Sequence, residues 1–165
     1  TNGPWSQLVN YQNIHPQNLT ADQAVSLGQK IEVIPLLVPH RDEYSETVGY
    51  KIIGPQKSLL FIPDINKWEV WDRSIKEEIS KVDYALLDAT FYDANELPGR
   101  NMADIPHPFV QESMQLFQNL SKTERAKIIF IHFNHTNPLL LDSPEREHVI
   151  KQGFQVASEG LRLDL

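Results

Sequence analysis

At 165 residues the chain is long enough for one domain with a sizeable core and too short for two. Its 41% hydrophobic and 22% charged residues argue against disorder, and no apolar run approaches the ~20 residues of a membrane helix. With 15 Lys and Arg against 22 Asp and Glu the net charge is −7, no basic stripe offers a surface for extended nucleic acid, and zero Cys excludes disulfides and thiolate metal sites.

The start, Thr1-Asn2-Gly3-Pro4, has neither an initiator Met nor the charged and apolar regions of a signal peptide, which leads to the expectation that something has been removed before it. Pro4 to Asn10 reads as a short helix entered through Asn2 and Gly3. Tyr11 to Lys30 is expected to be mostly loop, with Asn18, Thr20 and Asp22 as turn or cap residues. Apolar runs then predict strands over Ile31 to Pro39, Thr47 to Ile53, Ser58 to Ile62, Val82 to Leu87 and Lys127 to Ile131, several of them buried on both faces. Trp68, Trp71, Ile75 and Ile79 fall at three- and four-residue steps and predict an amphipathic helix over Asn66 to Ser80, with both tryptophans in the core. Val110, Met114, Phe117 and Leu120 predict another over Pro108 to Leu120. A third has Ser143 as N-cap, Pro144 at its first position and Gly153 as its stop. Strands alternating with helices place the chain in the α/β class, a mixed sheet with flanking helices.

Four apolar runs end in an ionisable residue of metal-ligand type: His40, Asp64, Asp88 and His132. A single Asp or His at a strand end most often caps a turn; four together point to a crevice where rigid strands aim side chains at a ligand. Imidazole and carboxylate without thiolate suit zinc, iron or manganese. His107, in Ile105-Pro106-His107-Pro108, stands at a helix entrance, from which its ring can face a crevice. Asn134 and His135 lie in a polar turn after a buried strand, as substrate or ligand-supporting contacts or as a hydrogen-bonded turn. His15 and His148 read as solvated. The scattered glycines form no phosphate loop, there is no Gly-x-Ser-x-Gly motif, and Ser113 and Ser143 lack a nucleophile's context, so a metal-activated water is the remaining nucleophile.

At these residues the sequence resembles the metallo-β-lactamase superfamily, and within it the pyrroloquinoline-quinone-biosynthesis branch of B-type proteins and, more distantly, the tRNase Z branch. The resemblance runs nearly end to end, through Gly3-Pro4-Trp5-Ser6-Gln7-Leu8-Val9, Asp88-Ala89-Thr90-Phe91, His107, Ile131 to Pro138, Ser143-Pro144-Glu145-Arg146 and the closing Gly153 to Leu165. It implies that His40, Asp64 and His132 are metal ligands, Asp64 bridging two ions. It also implies that Asp88 orients His107, which protonates the leaving group. His40, usually absent from the quinone-biosynthesis proteins, favours a hydrolase-type site with two zinc ions, or iron or manganese, acting on a small phosphodiester or ester. An iron-dependent oxygenase of cofactor biosynthesis is the alternative reading.

The superfamily's His-x-His-x-Asp-His motif is absent from these residues. The resemblance therefore implies the C-terminal half of an αββα sandwich, residues 1–165 forming a partial domain that would pair with the missing N-terminal half or with a second copy. An inactive half-domain or assembly module is the third reading. A small-molecule substrate, no extended nucleic acid and no membrane are expected as partners, with the cytoplasm the favoured compartment.

Overall fold

Alternating apolar residues and tight turns organise the described residues, 3–165 of a computed structural model, around one seven-stranded sheet. The expected helix entrance at Asn2 lies outside them. After a first helix, α1 (Gly3–Asn10), the strands lie side by side in chain order: β1 (Val25–Gly28), β2 (Ile31–Leu37), β3 (Val48–Ile53), β4 (Ser58–Ile62), β5 (Tyr84–Asp88), β6 (Ile128–Ile131) and β7 (Gln155–Val156). The first four pair antiparallel through short connections, whereas β4 to β7 pair in parallel. Parallel neighbours need crossovers. These are α2 (Ile75–Ser80), then α3 (Val110–Phe117) with α4 (Lys122–Arg125), then α5 (Pro144–Lys151).

Burial alternates along the parallel strands. Leu60, Ile62, Ala85, Leu87, Ile128 and Phe130 form one cluster with Ile75 and Ile79 of α2, Val110, Met114 and Phe117 of α3 and Val149 of α5. The opposite face, with Leu59, Phe61, Tyr84 and Leu86, is half-buried. Only β6, with Ile129 also buried, approaches the burial on both faces that the apolar runs suggested. No helix among the described residues is long and apolar enough to cross a membrane.

Three local expectations are corrected. β1 lies inside the expected loop: three of its four residues are exposed, so it carries no apolar alternation. Its turn into β2 puts Gln29 and Lys30 at φ 51° and 63°, the left-handed geometry that a two-residue hairpin needs and that Asn-Gly usually announces. The helix expected over Asn66 to Ser80 is interrupted. Trp68–Val70 form a single 3-10 turn, Trp71 is extended with its indole N–H donating to the Leu37 carbonyl at 2.9 Å, and Ser74 caps a new helix. The core position of both tryptophans survives that break, each 6% exposed. The helix expected over Pro108 to Leu120 ends at Phe117, and α4 follows it. The third helix is as expected, with the Ser143 hydroxyl accepting from the Arg146 N–H at 3.1 Å and Gly153 at φ 90° beyond its end.

Gly49 lets β3 approach β4, since a Cβ there would lie 2.9 Å from both the Phe61 carbonyl oxygen and Ile62 Cγ1. Gly49→Ala is expected to lower stability by about 1–3 kcal/mol, read as a lower urea midpoint at unchanged slope. An unchanged midpoint would show that the contact does not constrain the sheet.

Candidate metal and acid–base site

Two antiparallel reversals make β2 run in the same direction as β4, and β5 and β6 are parallel to β4. Four strands therefore end at one edge. His40 follows β2, Asp64 follows β4, Asp88 is the last residue of β5, and His132 directly follows β6. Their convergence follows from strand direction alone, as ligand crevices collect at the carboxyl ends of parallel strands. The Asn66 N–H donates to the Pro39 carbonyl at 2.7 Å and ties the first two loops together.

Asp88 is fully buried and fully bonded. Its Oδ1 accepts from the Thr90 N–H at 2.8 Å and the Thr90 hydroxyl at 2.7 Å, and its Oδ2 from the Ile65 N–H at 3.1 Å and His107 Nδ1 at 2.8 Å. These four bonds occupy the acceptor capacity of a carboxylate. Asp88 is thus placed to orient its neighbours rather than to take a ligand. Burial pushes its carboxyl up, but His107, His132 and Thr90 outweigh that and hold it below the ordinary aspartate value.

The loop that carries His107 has its own small core of Phe91, Met102, Ile105 and Phe109. Val110 N–H donates to the Phe91 carbonyl at 3.0 Å, and the Glu112 carboxylate accepts from the Phe109 N–H at 2.8 Å, fixing the start of α3. His132 sits at φ 63°, a left-handed conformation uncommon for a non-glycine residue and costing of order 1 kcal/mol or more.

Donor counting assigns the tautomers. The Thr90 hydroxyl gives its proton to Asp88 and so accepts from His132 Nδ1–H at 3.0 Å, while His107 Nδ1–H is directed to Asp88. His40 Nδ1–H donates to Asn66 Oδ1 at 3.1 Å. A ring that carries its single proton on Nδ1 in this way presents Nε2 as a lone pair. The His40 lone pair then faces Asp64 Oδ1 at 3.2 Å, and that oxygen is buried without a hydrogen-bond partner. His107 Nδ1 lies 3.4 Å from the same oxygen. A lone pair against an anionic oxygen is repulsive unless a cation lies between them. A tetrahedral zinc ion with ~2.0–2.1 Å bonds holds its N and O ligands roughly 3.3 Å apart, so the orphaned oxygen and facing nitrogen fit such an ion. Ligand atoms of His40, Asp64 and His107 lie within 4.8 Å of one another, as do those of Asp64, Asp88 and His132. Asp64 is common to both groups.

The structure thus brings His40, Asp64, Asp88, His107 and His132 together. It does not bring in His135, which is exposed and joins neither group, and it turns Asn134 to loop bracing, with its amide donating to the Thr136 hydroxyl and its N–H to the Thr90 carbonyl. Asn66, Thr90 and Asn137 hold these side chains and loops by hydrogen bonds, and the sequence reading left them without roles. Buried Asn137 donates to the Ala89 carbonyl at 2.8 Å and accepts from the Leu139 N–H at 2.9 Å, clamping the turn after β6 to the end of β5. Only Thr90 had a signal, as a member of Asp88-Ala89-Thr90.

The Asp88 carboxylate, 3.9 Å away and bridged by Thr90, raises the pKa of His132 against the opposing effect of partial burial. With its folded value above the ordinary ~6.5, His132 adds stability below that pH and loses it as pH climbs through the folded value. Asp88, held below ~3.9, adds stability above that pH and loses it as pH falls through its own folded value. In EDTA-treated protein, His132→Asn, whose side chain tolerates the left-handed backbone, is expected to remove much of the stability decline above pH 6.5 in urea unfolding. Parallel declines in the two proteins would show that His132 and Asp88 are uncoupled.

Coenzyme PQQ synthesis protein B of Cupriavidus necator is 27% identical over 134 residues, spanning 76% of this chain and 43% of that protein. Its namesake in Methylorubrum populi is 32% identical over 132 residues, spanning 74% and 42%. The chain thus spans less than half the length of these two relatives. Zinc-bound PqqB from Methylobacterium extorquens superposes with a TM-score of 0.72 at 25% identity, over 90% of this chain and 55% of that one. The isothiocyanate hydrolase from Delia radicum gut bacteria, with a TM-score of 0.59 at 13% identity over 97% of this chain and 63% of that one, shares the fold. The beta-lactamase superfamily domain matches residues 3–133, and the chain belongs to that superfamily.

Proposed function

We propose that these residues form part of a metal-dependent hydrolase acting on a small phosphodiester or ester. The observation that carries the reading is the buried Asp64 oxygen that accepts no hydrogen bond and lies 3.2 Å from His40 Nε2. His40, Asp64 and His132 would hold the metal, zinc in the first instance. When bound, it would lower the pKa of a water and polarise the scissile group.

The chain's own residues do the rest. Asp88 fixes the tautomer and tilt of His107 through Nδ1, so that the Nε2 lone pair takes the proton given up by the attacking water and returns it to the leaving group. Thr90 transmits the same carboxylate to His132. Because the chain lacks the His-x-His-x-Asp-His motif and spans less than half of two matched relatives, the proposed enzyme takes its remaining ligands from polypeptide beyond these residues, a further segment or a second molecule.

A second reading has comparable support in the B-type proteins of coenzyme PQQ synthesis, similar in sequence across most of this chain. On that reading the same ligands hold iron, and the reaction consumes oxygen. Iron content with oxygen uptake, against zinc content with turnover of bis(p-nitrophenyl) phosphate or p-nitrophenyl acetate, separates the two.

Asp64→Asn is expected to lower zinc affinity at least tenfold in titration calorimetry. A protein that also carries the His-x-His-x-Asp-His polypeptide and still takes up neither zinc, iron nor manganese overturns both readings. His107→Ala is expected to keep the metal and lose about 10²–10⁴-fold in rate on either nitrophenyl substrate. Unchanged turnover removes His107 from the mechanism, and loss of the metal places it among the ligands instead.

A further inference from the structure

A cleft of about 270 Å³ opens beside the imidazole pair, and its lining includes His40, Thr90 and His107 together with Arg41 and Arg100. No Asp or Glu is among its lining residues. Both arginines are exposed, and neither guanidinium makes an ion pair or hydrogen bond among the described residues. Of the other arginines, Arg73 is paired with Asp22 and Arg146 is bonded to the Leu139 carbonyl, whereas Arg125 and Arg162 also make no guanidinium ion pair or hydrogen bond among the described residues. It is their place in one cleft beside His40 and His107 that sets Arg41 and Arg100 apart.

Two acids in the neighbouring loops are engaged, while the exposed carboxylates of Glu43 and Asp104 make no ion pair or hydrogen bond among the described residues. Asp42 accepts from both the Thr47 N–H and hydroxyl at 3.1 Å, and Glu96 accepts from the Tyr92 N–H at 2.6 Å and the Thr136 hydroxyl at 2.5 Å. Both therefore brace loops instead of neutralising the arginines. The rest of the wall includes Phe91, Ile105 and Pro106, which suit an apolar body. Guanidinium groups bind carboxylate and phosphate through paired N–H donors, and such charge-assisted bonds strengthen where apolar walls thin the water. The cleft is at the small end for ligand sites, which fits a small molecule rather than a polymer.

We infer that Arg41 and Arg100 bind an oxyanion of the substrate, a carboxylate or phosphate, and hold its reacting part against His40 and His107. The inference rests on the proposed reading of that site and adds the charge of the molecule it processes. In a chain of net charge −7 an anionic substrate meets long-range repulsion, so its capture needs a local cationic pair.

The test uses phenyl phosphate and benzoate as anionic probes and benzamide as the neutral control, titrated into the native chain with zinc and after EDTA treatment. At least one anion is expected to bind the EDTA-treated chain. Its affinity should fall tenfold or more in Arg41→Ala and in Arg100→Ala, fall less in the Lys variants, and exceed that of benzamide. Circular dichroism establishes that the variants fold. Preference for one probe assigns the carboxylate or the phosphate.

An anion that binds only in the presence of zinc, and equally in the double alanine variant, overturns the inference while leaving the metal site standing. Absence of binding by either anion with or without zinc also overturns it. Arginine-dependent binding in a protein that also carries the His-x-His-x-Asp-His polypeptide yet takes up no metal supports the anion site and removes the metal-dependent reading, so the two fail separately.

Discussion

A buried carboxylate with four donors, Asp88, is the constraint around which the rest of this edge is arranged. An ionised group with no exposed surface is tolerable only if every acceptor site is filled. Here the donors come from three segments: Ile65 after β4, Thr90 after β5 itself, and His107 from the long loop before α3. One charge therefore fixes three loops relative to one another. Removing it would leave those donors facing a dry interior, so its structural and chemical roles cannot be separated by simple deletion.

The direction of the strands decides what this carboxylate can organise. Because β2 points the same way as β4, β5 and β6, the residues that end those strands meet without any long excursion of chain. The helices lie against the face that carries Leu60, Leu87 and Phe130, so packing stiffens the strands while leaving their ends open. The site residues themselves contribute little to that packing. His132 even occupies a left-handed backbone conformation, a local strain that the bonding of Thr90 and the clamp of Asn137 help to maintain.

Much of this was legible in the sequence where the signal is periodic or positional. Apolar runs of strand length marked β2 to β6 to within a few residues, and Ser143-Pro144 with Gly153 marked α5, since capping chemistry is local. Strand-end residues named His40, Asp64, Asp88 and His132 because a run of apolar residues that stops at an ionisable one is visible without knowing the topology. What stayed hidden depends on contacts distant in sequence. β1 has a mostly exposed face and a turn built from Gln29 and Lys30, so neither alternation nor turn composition reveals it. The break after Trp68–Val70 is set by an indole reaching Leu37, 34 residues away, which no helical periodicity can report. Asn66 and Asn137 look like any loop asparagine until the carbonyls and rings they serve are folded next to them.

The same network separates the roles of two similar side chains. Asp64 and Asp88 both follow apolar runs, and both stand near histidines. Asp88 is saturated by donors, and its charge is held in place by neighbours that would have to break bonds to release it. Asp64 has a buried oxygen with nothing donated to it and faces a nitrogen whose proton is committed elsewhere. A saturated carboxylate steers its partners, whereas an unsaturated one beside a lone pair suits a cation. The proposed division of labour between orienting and binding thus rests on counting donors at each oxygen, and the oxygen left free for a cation is the one that faces His40.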